Sequence, residues 1–173
     1  NNNKAPLLFK PPKALKAIKH SSNIPSAQVK SCIMLASLFI PGTSIIRETI
    51  QTRDHTEQLL KYLEYPIEIK NNEIIISGQK ELLAKDIFIP SDISSASFFI
   101  VAALIKENSN IILKNIGINT LRTGIIDVLI EMGADIKILN KFFKGSELIG
   151  DISVKYSKLK PIKISGSIVS RLI

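Results

Sequence analysis

The chain has 173 residues, 45% of them hydrophobic and 22% charged, with a formal net charge of +8. That apolar content can bury a core in one large domain or in parts of two, which excludes a disordered tail. The longest apolar runs, Cys32 to Ile40 and Phe98 to Ile105, fall well short of the roughly 20 residues that cross a bilayer, so no membrane role is expected.

The positive charge favours an anionic partner, although most lysines are scattered and read as solvated surface. The single cysteine, Cys32, excludes an internal disulfide, and no basic-then-apolar signal opens the chain. The expectation is a reducing cytoplasm with Cys32 as a core thiol. The chain opens on "NNN" without an initiator Met and closes on "SIVSRLI", which reads as a piece of a longer polypeptide.

In chain order, "KAPLLFKPPKALKAIKH" at 4–20 carries basic residues at close intervals, and Pro11-Pro12 interrupts any helix that would display them. The pattern then predicts a helix over Ser26 to Phe39, a β-branched strand over Thr43 to Ile50, and a helix over Asp54 to Leu63 with apolar Leu59, Leu60 and Leu63. "IEIK" and "EIIIS" flank Asn71-Asn72, a two-residue hairpin signal. The second half restates the plan. A helix is predicted over Ser94 to Lys106, a strand over Asn110 to Lys114, a helix over Leu121 to Met132 stopped by Gly133, and a strand pair from "DIKIL" and "DISVKY". Two copies of one globular unit, each of roughly 70 to 80 residues, are therefore visible. They join at "KDIFIPSDIS", with Pro90 and Ser91 as the crossing point.

The first helix of each copy, at 29–38 and 96–105, is apolar around nearly its whole circumference. Such a helix is expected to be buried on all sides, with the sheets outside. Its N-terminal N–H groups then need side-chain caps or an anion. Ser26 suits a cap, and Gln28 adds an amide donor and acceptor. Asp92, Ser94 and Ser95 repeat the arrangement in the second copy. In "TRDHTEQLL", Asp54 and Glu57 imitate a capping box, and Arg53 places a bidentate donor at that helix mouth. His55 reads as a packing or hydrogen-bonding residue, because no second titratable group is spaced to activate it, and His20 has no assignable role. Metal-ligand spacing, a Gly-rich phosphate loop and a nucleophile elbow are not found.

"SAQVKS", "TRDHTE", "PSDISSASFFIVAALI" and "GINTLRTGIIDVLIEMGADI", in this order, resemble the 5-enolpyruvylshikimate-3-phosphate synthases over practically the whole chain. The resemblance implies an α/β (α+β) fold of repeated βαβαββ units, with buried helices and outer sheets in two lobes. Residues 1–90 would be part of the first lobe and 91–173 part of the second, flexing at Pro90 to Asp92. It implies transfer of the enolpyruvyl group of phosphoenolpyruvate to the 5-hydroxyl of shikimate 3-phosphate, by a cytoplasmic enzyme acting as a monomer without cofactor, metal or nucleic acid. Ser26, Ala27, Gln28 and Arg53 would contact shikimate 3-phosphate, and Gln28 also phosphoenolpyruvate. Ala27 replaces a serine, Ser91 stands where glycine is usual, and "LEYPIEI" lacks the expected glycine.

The resemblance also implies that the catalytic residues lie outside this chain, leaving the segment alone inactive. Two alternatives remain. One is an enzyme like UDP-N-acetylglucosamine enolpyruvyl transferase, which shares the fold but does not usually carry "SAQVKS" with "RDHTE". The other is a basic anion- or nucleic-acid-binding domain, disfavoured by three tyrosines, no tryptophan and no basic stripe.

Overall fold

The computed structural model describes residues 4–10 and 12–172. Pro11 lies outside the described residues, so the expected break at Pro11-Pro12 is observable only from Pro12 onward, where 12–18 form no helix.

The first half runs β1 (Lys19–Ser22), α1 (Ala27–Ser37), β2 (Thr43–Glu48), α2 (His55–Tyr62), β3 (Ile67–Lys70) and β4 (Glu73–Ser77). The strands form one sheet in the order β1-β2-β4-β3, with β1 parallel to β2 and the other pairs antiparallel. Strand β2 alternates strictly, turning Ser44, Ile46 and Glu48 inward, as a half-buried strand must. Asn71 and Asn72 both adopt positive φ, 49° and 62°, the geometry that matches a two-residue turn to strand twist.

The second half runs α3 (Ile93–Ile105), β5 (Asn110–Gly117), α4 (Gly124–Glu131), β6 (Asp135–Lys144) and β7 (Glu147–Lys155), followed by a 3₁₀ turn at Gly166–Arg171. Its sheet order is β5-β7-β6. Ser91 bridges in parallel to Ile116, accepting from Gly117 N and donating to Asn115 O, both at 2.9 Å. Ser91 thus stands against β5 where β1 stands against β2, and the two halves follow one βαβαββ plan. Its backbone is not in the left-handed region, so serine meets no penalty where glycine is usual.

Each half packs its own core. One is built around Met34, Ile46, Leu60, Ile74 and Ile76, the other around Ile100, Leu104, Ile126, Ile152 and Val154. Among the described residues no helix is long and apolar enough to cross a membrane.

The expectation that α1 and α3 are buried on all sides is not met by these residues. Val29 and Leu35 on α1, and Phe98, Phe99 and Ile105 on α3, are exposed. The buried stripe of α1 is Lys30, Met34 and Ser37, one face at helical spacing. Cys32 lies off that stripe and is exposed, so it is not a core thiol.

The ends of α2 also differ from expectation. Asp54 makes no side-chain cap bond, and Glu57 turns inward to Lys30 at 2.6 Å, so the capping box does not form. At the other end, Tyr65 N donates to Leu60 O (2.9 Å) and Glu64 N to Lys61 O (3.0 Å). This is a Schellman stop with Glu64 at φ 58°. The stop of α4 is the same, with Ala134 N to Leu129 O and Gly133 N to Ile130 O, and there the left-handed residue is Gly133. The glycine missing from "LEYPIEI" is thus replaced by a glutamate holding a glycine's conformation.

Candidate functional site

The site begins at the first turn of α1. Ser26 Oγ accepts from Val29 N at 3.3 Å, so Ser26 is the N-cap of a helix whose third N–H it satisfies. Helix geometry leaves the N–H groups of Ala27 and Gln28 pointing off the end, carrying the positive pole of the helix.

Below this turn, Lys30 Nζ lies 2.6 Å from Glu57 Oε1 on α2 and 3.1 Å from Glu48 Oε2 on β2. All three side chains are buried. Ser31 and Thr56 add a hydroxyl contact of 2.7 Å between α1 and α2. These ties bring the loop ahead of α2 against the start of α1. Ala27, Gln28 and Arg53 consequently line one open depression of about 280 Å³, together with Ser31, His55, Thr56 and Arg122. Among the described residues that line it there is no carboxylate.

The second half supplies the opposite bank. Asp92 caps α3 through Ser95 N at 3.1 Å and accepts from Arg122 Nη2 at 2.6 Å, while Ser94 Oγ accepts from the same nitrogen at 3.0 Å. Asn119 Nδ2 donates to Asp54 Oδ1 at 2.7 Å, and His55 Nε2 lies 3.9 Å from Glu147 Oε2. His55 therefore has a titratable neighbour after all, delivered by the β6–β7 hairpin from far along the chain. A second cavity of about 440 Å³ adjoins the depression at the crossing segment Pro90 to Asp92 and shares His55, Thr56 and Arg122 with it.

The electrostatics follow from this crowding of cations. Burial pushes the His55 imidazole below its ordinary value, and Arg122, then Arg53 and Lys30, push the same way against the opposing pull of Asp54. Protonation of His55 is thus disfavoured by burial and by the cations around it, and the depression is a place where an anion is welcome. Burial raises the Glu147 carboxyl, with the charge of Asp54 acting in the same sense.

Of the residues singled out from sequence, Ala27, Gln28 and Arg53 share the depression. Ser26 faces a separate small crevice beside His20 and Lys30 and reaches the depression only by capping its helix. Arg122 was not singled out. The repeat signals it, because Arg122 stands two residues ahead of α4 (Gly124–Glu131) as Arg53 stands two ahead of α2 (His55–Tyr62).

The model of the family described as EPSP synthase (3-phosphoshikimate 1-carboxyvinyltransferase) matches residues 1–173. A 3-phosphoshikimate 1-carboxyvinyltransferase of Bacillus pumilus is 47% identical over 159 residues, 92% of this chain and 37% of that protein. The protein of the same name from Legionella pneumophila (strain Corby) is 46% identical over 166 residues, 96% of this chain and 38% of that one. The solved EPSP synthase of Acinetobacter baumannii superposes with a TM-score of 0.80 at 42% identity, over 91% of this chain and 36% of the other. The chain thus spans under two fifths of the length of these relatives.

Proposed function

The chain belongs to the EPSP synthase family, and from that premise we propose that it serves an enzyme that transfers the enolpyruvyl group of phosphoenolpyruvate to the 5-hydroxyl of shikimate 3-phosphate. In this reading residues 1–90 and 91–173 belong to two lobes that meet at Pro90, and the protein works in a reducing cytoplasm. The observation that carries the reading is the depression lined by Ala27, Gln28 and Arg53 and facing Arg122.

The residues divide the work by chemistry. Arg53 gives a planar pair of donors to the phosphate ester, which a lysine would meet only as a point charge. The N–H groups of Ala27 and Gln28 add the helix pole, so Ala27 contributes through backbone and loses nothing by lacking a hydroxyl. The Gln28 amide can accept from a shikimate hydroxyl and donate to phosphoenolpyruvate. Ser26 shapes the turn that presents them. Among the described residues that line the depression there is no carboxylate, so these residues bind and orient; proton removal from the 5-hydroxyl and proton delivery to the methylene carbon are assigned to groups elsewhere in the enzyme.

The test is titration with shikimate 3-phosphate. Arg53→Ala is expected to weaken binding by about tenfold or more, as loss of a charge-assisted pair does, with thermal stability nearly unchanged. Gln28→Ala should weaken it by a smaller factor. Parental affinity in both variants would overturn the assignment.

A further inference from the structure

We infer that Lys30 and Glu48 are positioning residues for Arg53, acting through Thr52; this deepens the reading of the depression as a phosphate-ester site and rests on it. Thr52 is buried, at 5% exposure, and it immediately precedes Arg53 in a stretch, residues 51–54, without regular secondary structure. Its three polar groups are all taken by this pair. Glu48 Oε1 accepts from Thr52 N at 3.2 Å and from Thr52 Oγ1, while Lys30 Nζ donates to Thr52 O at 3.4 Å. The other oxygen of Glu48 returns to Lys30 at 3.1 Å, closing the clamp on itself.

The clamp has a direction. Lys30 sits one turn beyond Ala27 on α1, so the residue that grips the Thr52 backbone is fixed to the helix that presents Ala27 and Gln28. Glu48 is the last residue of β2, so the sheet sets the height of the loop. The two elements that carry the binding groups are therefore fastened to each other below the depression, where solvent does not compete. Burying a lysine with two carboxylates is a poor way to gain stability, because desolvation offsets most of the attraction and apolar residues would pack there equally well. What such a cluster does provide is a single geometry, since Lys30 and Glu48 bond to each other and to Thr52 in one arrangement only, although Glu57 Oε2 is buried without a hydrogen-bond partner among the described residues.

The experiment is a double-mutant cycle on shikimate 3-phosphate affinity in this chain, with Lys30→Met, Arg53→Ala and the double variant. If Lys30 acts through Arg53, Lys30→Met weakens binding by about tenfold alone and by less than about twofold in the Arg53→Ala background. A merely structural lysine would lower affinity by the same factor in both backgrounds, and that result, or parental affinity in Lys30→Met, overturns the inference. Should Lys30→Met lack a cooperative thermal transition, Thr52→Val decides. It is close in shape and drops only the hydroxyl bond to Glu48, and it is expected to weaken binding about threefold, again only when Arg53 is present. Parental affinity for Thr52→Val overturns the inference. Failure of the underlying reading looks different: Arg53→Ala alone would then bind as the parent does.

Discussion

Asn119 Nδ2 donates to Asp54 Oδ1 at 2.7 Å across 65 positions of sequence, joining the loop ahead of α4 to the residue ahead of α2. Gln58 donates to the other oxygen at 2.8 Å. Burial by itself would raise the Asp54 carboxyl, but the bonds from Asn119 and Gln58, a backbone bond and the charge of His55 together outweigh it and hold the group below 3.8. Because the folded value is depressed, this contribution is present above the unfolded value of 3.8 and is lost as pH falls through that region. Asn119→Ala is expected to lower stability at pH 7 by about 1.5–3 kcal/mol, the range for a bond to a charged acceptor, and to lower it less at pH 3, which lies below the unfolded value. Thermal unfolding at the two pH values checks this; equal losses would contradict it.

The paired helix stops give a prediction on stability alone. Glu64 occupies the left-handed region at φ 58° where the second half has Gly133 at φ 97°. A non-glycine residue there costs about 1–2 kcal/mol, partly offset by the greater freedom of glycine in the unfolded chain. Glu64→Gly should therefore raise stability by up to about 1 kcal/mol even though it removes the exposed Lys85 pair. Gly133→Ala should lower it by about 1 kcal/mol. Denaturant midpoints measure both.

Asp151 on β7 answers both irregularities of the second sheet. The register of β5 shifts between Leu113 and Ile116 and that of β6 between Leu139 and Phe142. The carboxylate accepts from Lys114, Asn115 N and Asn140 at 2.8, 3.1 and 2.9 Å. Those bonds lower its pKa from 3.8 to about 2, the Lys114 bond contributing most. Its stabilisation is complete above 3.8 and disappears as pH falls from 3.8 to about 2. Asp151→Asn should flatten the acid-unfolding curve in that window while leaving the first sheet's amides protected from hydrogen exchange.

His55 reports the charge of the depression. Its imidazole is pushed down by burial and then by Arg122, so an anion entering beside Arg53 and Arg122 offsets the cations and raises its pKa. By linkage, the contribution of His55 to phosphate-ester affinity rises as pH falls through its value, opposed by protonation of the ester itself near pH ~6. An NMR titration of the imidazole with and without shikimate 3-phosphate checks this, and an unmoved midpoint would argue that the anion binds elsewhere.

The local signals in the sequence were faithful where one residue type has one geometry. Asn71-Asn72 makes the hairpin, Gly133 stops α4, and Asp92 and Ser26 cap their helices. The repeated plan also reads correctly, because apolar periodicity reports which face is buried. What periodicity does not report is identity across the core. Lys30 in an apolar run reads as surface, yet it is buried by carboxylates 18 and 27 positions away, Glu48 and Glu57. The converse error concerns α1 and α3, whose all-round apolar surface is covered on only one flank by the described residues. The near-symmetric placement of Arg53 and Arg122 was legible in principle, but only after the two halves had been superimposed on each other.

The most direct measurement is a titration of this chain with shikimate 3-phosphate and with unphosphorylated shikimate, followed residue by residue by NMR. The account predicts that the ester binds at least about tenfold more tightly, weakens with added salt, and shifts the amides of Ala27 and Gln28 together with the Arg53 side chain. Equal affinity for the two compounds, or shifts confined to residues outside the depression, would contradict it.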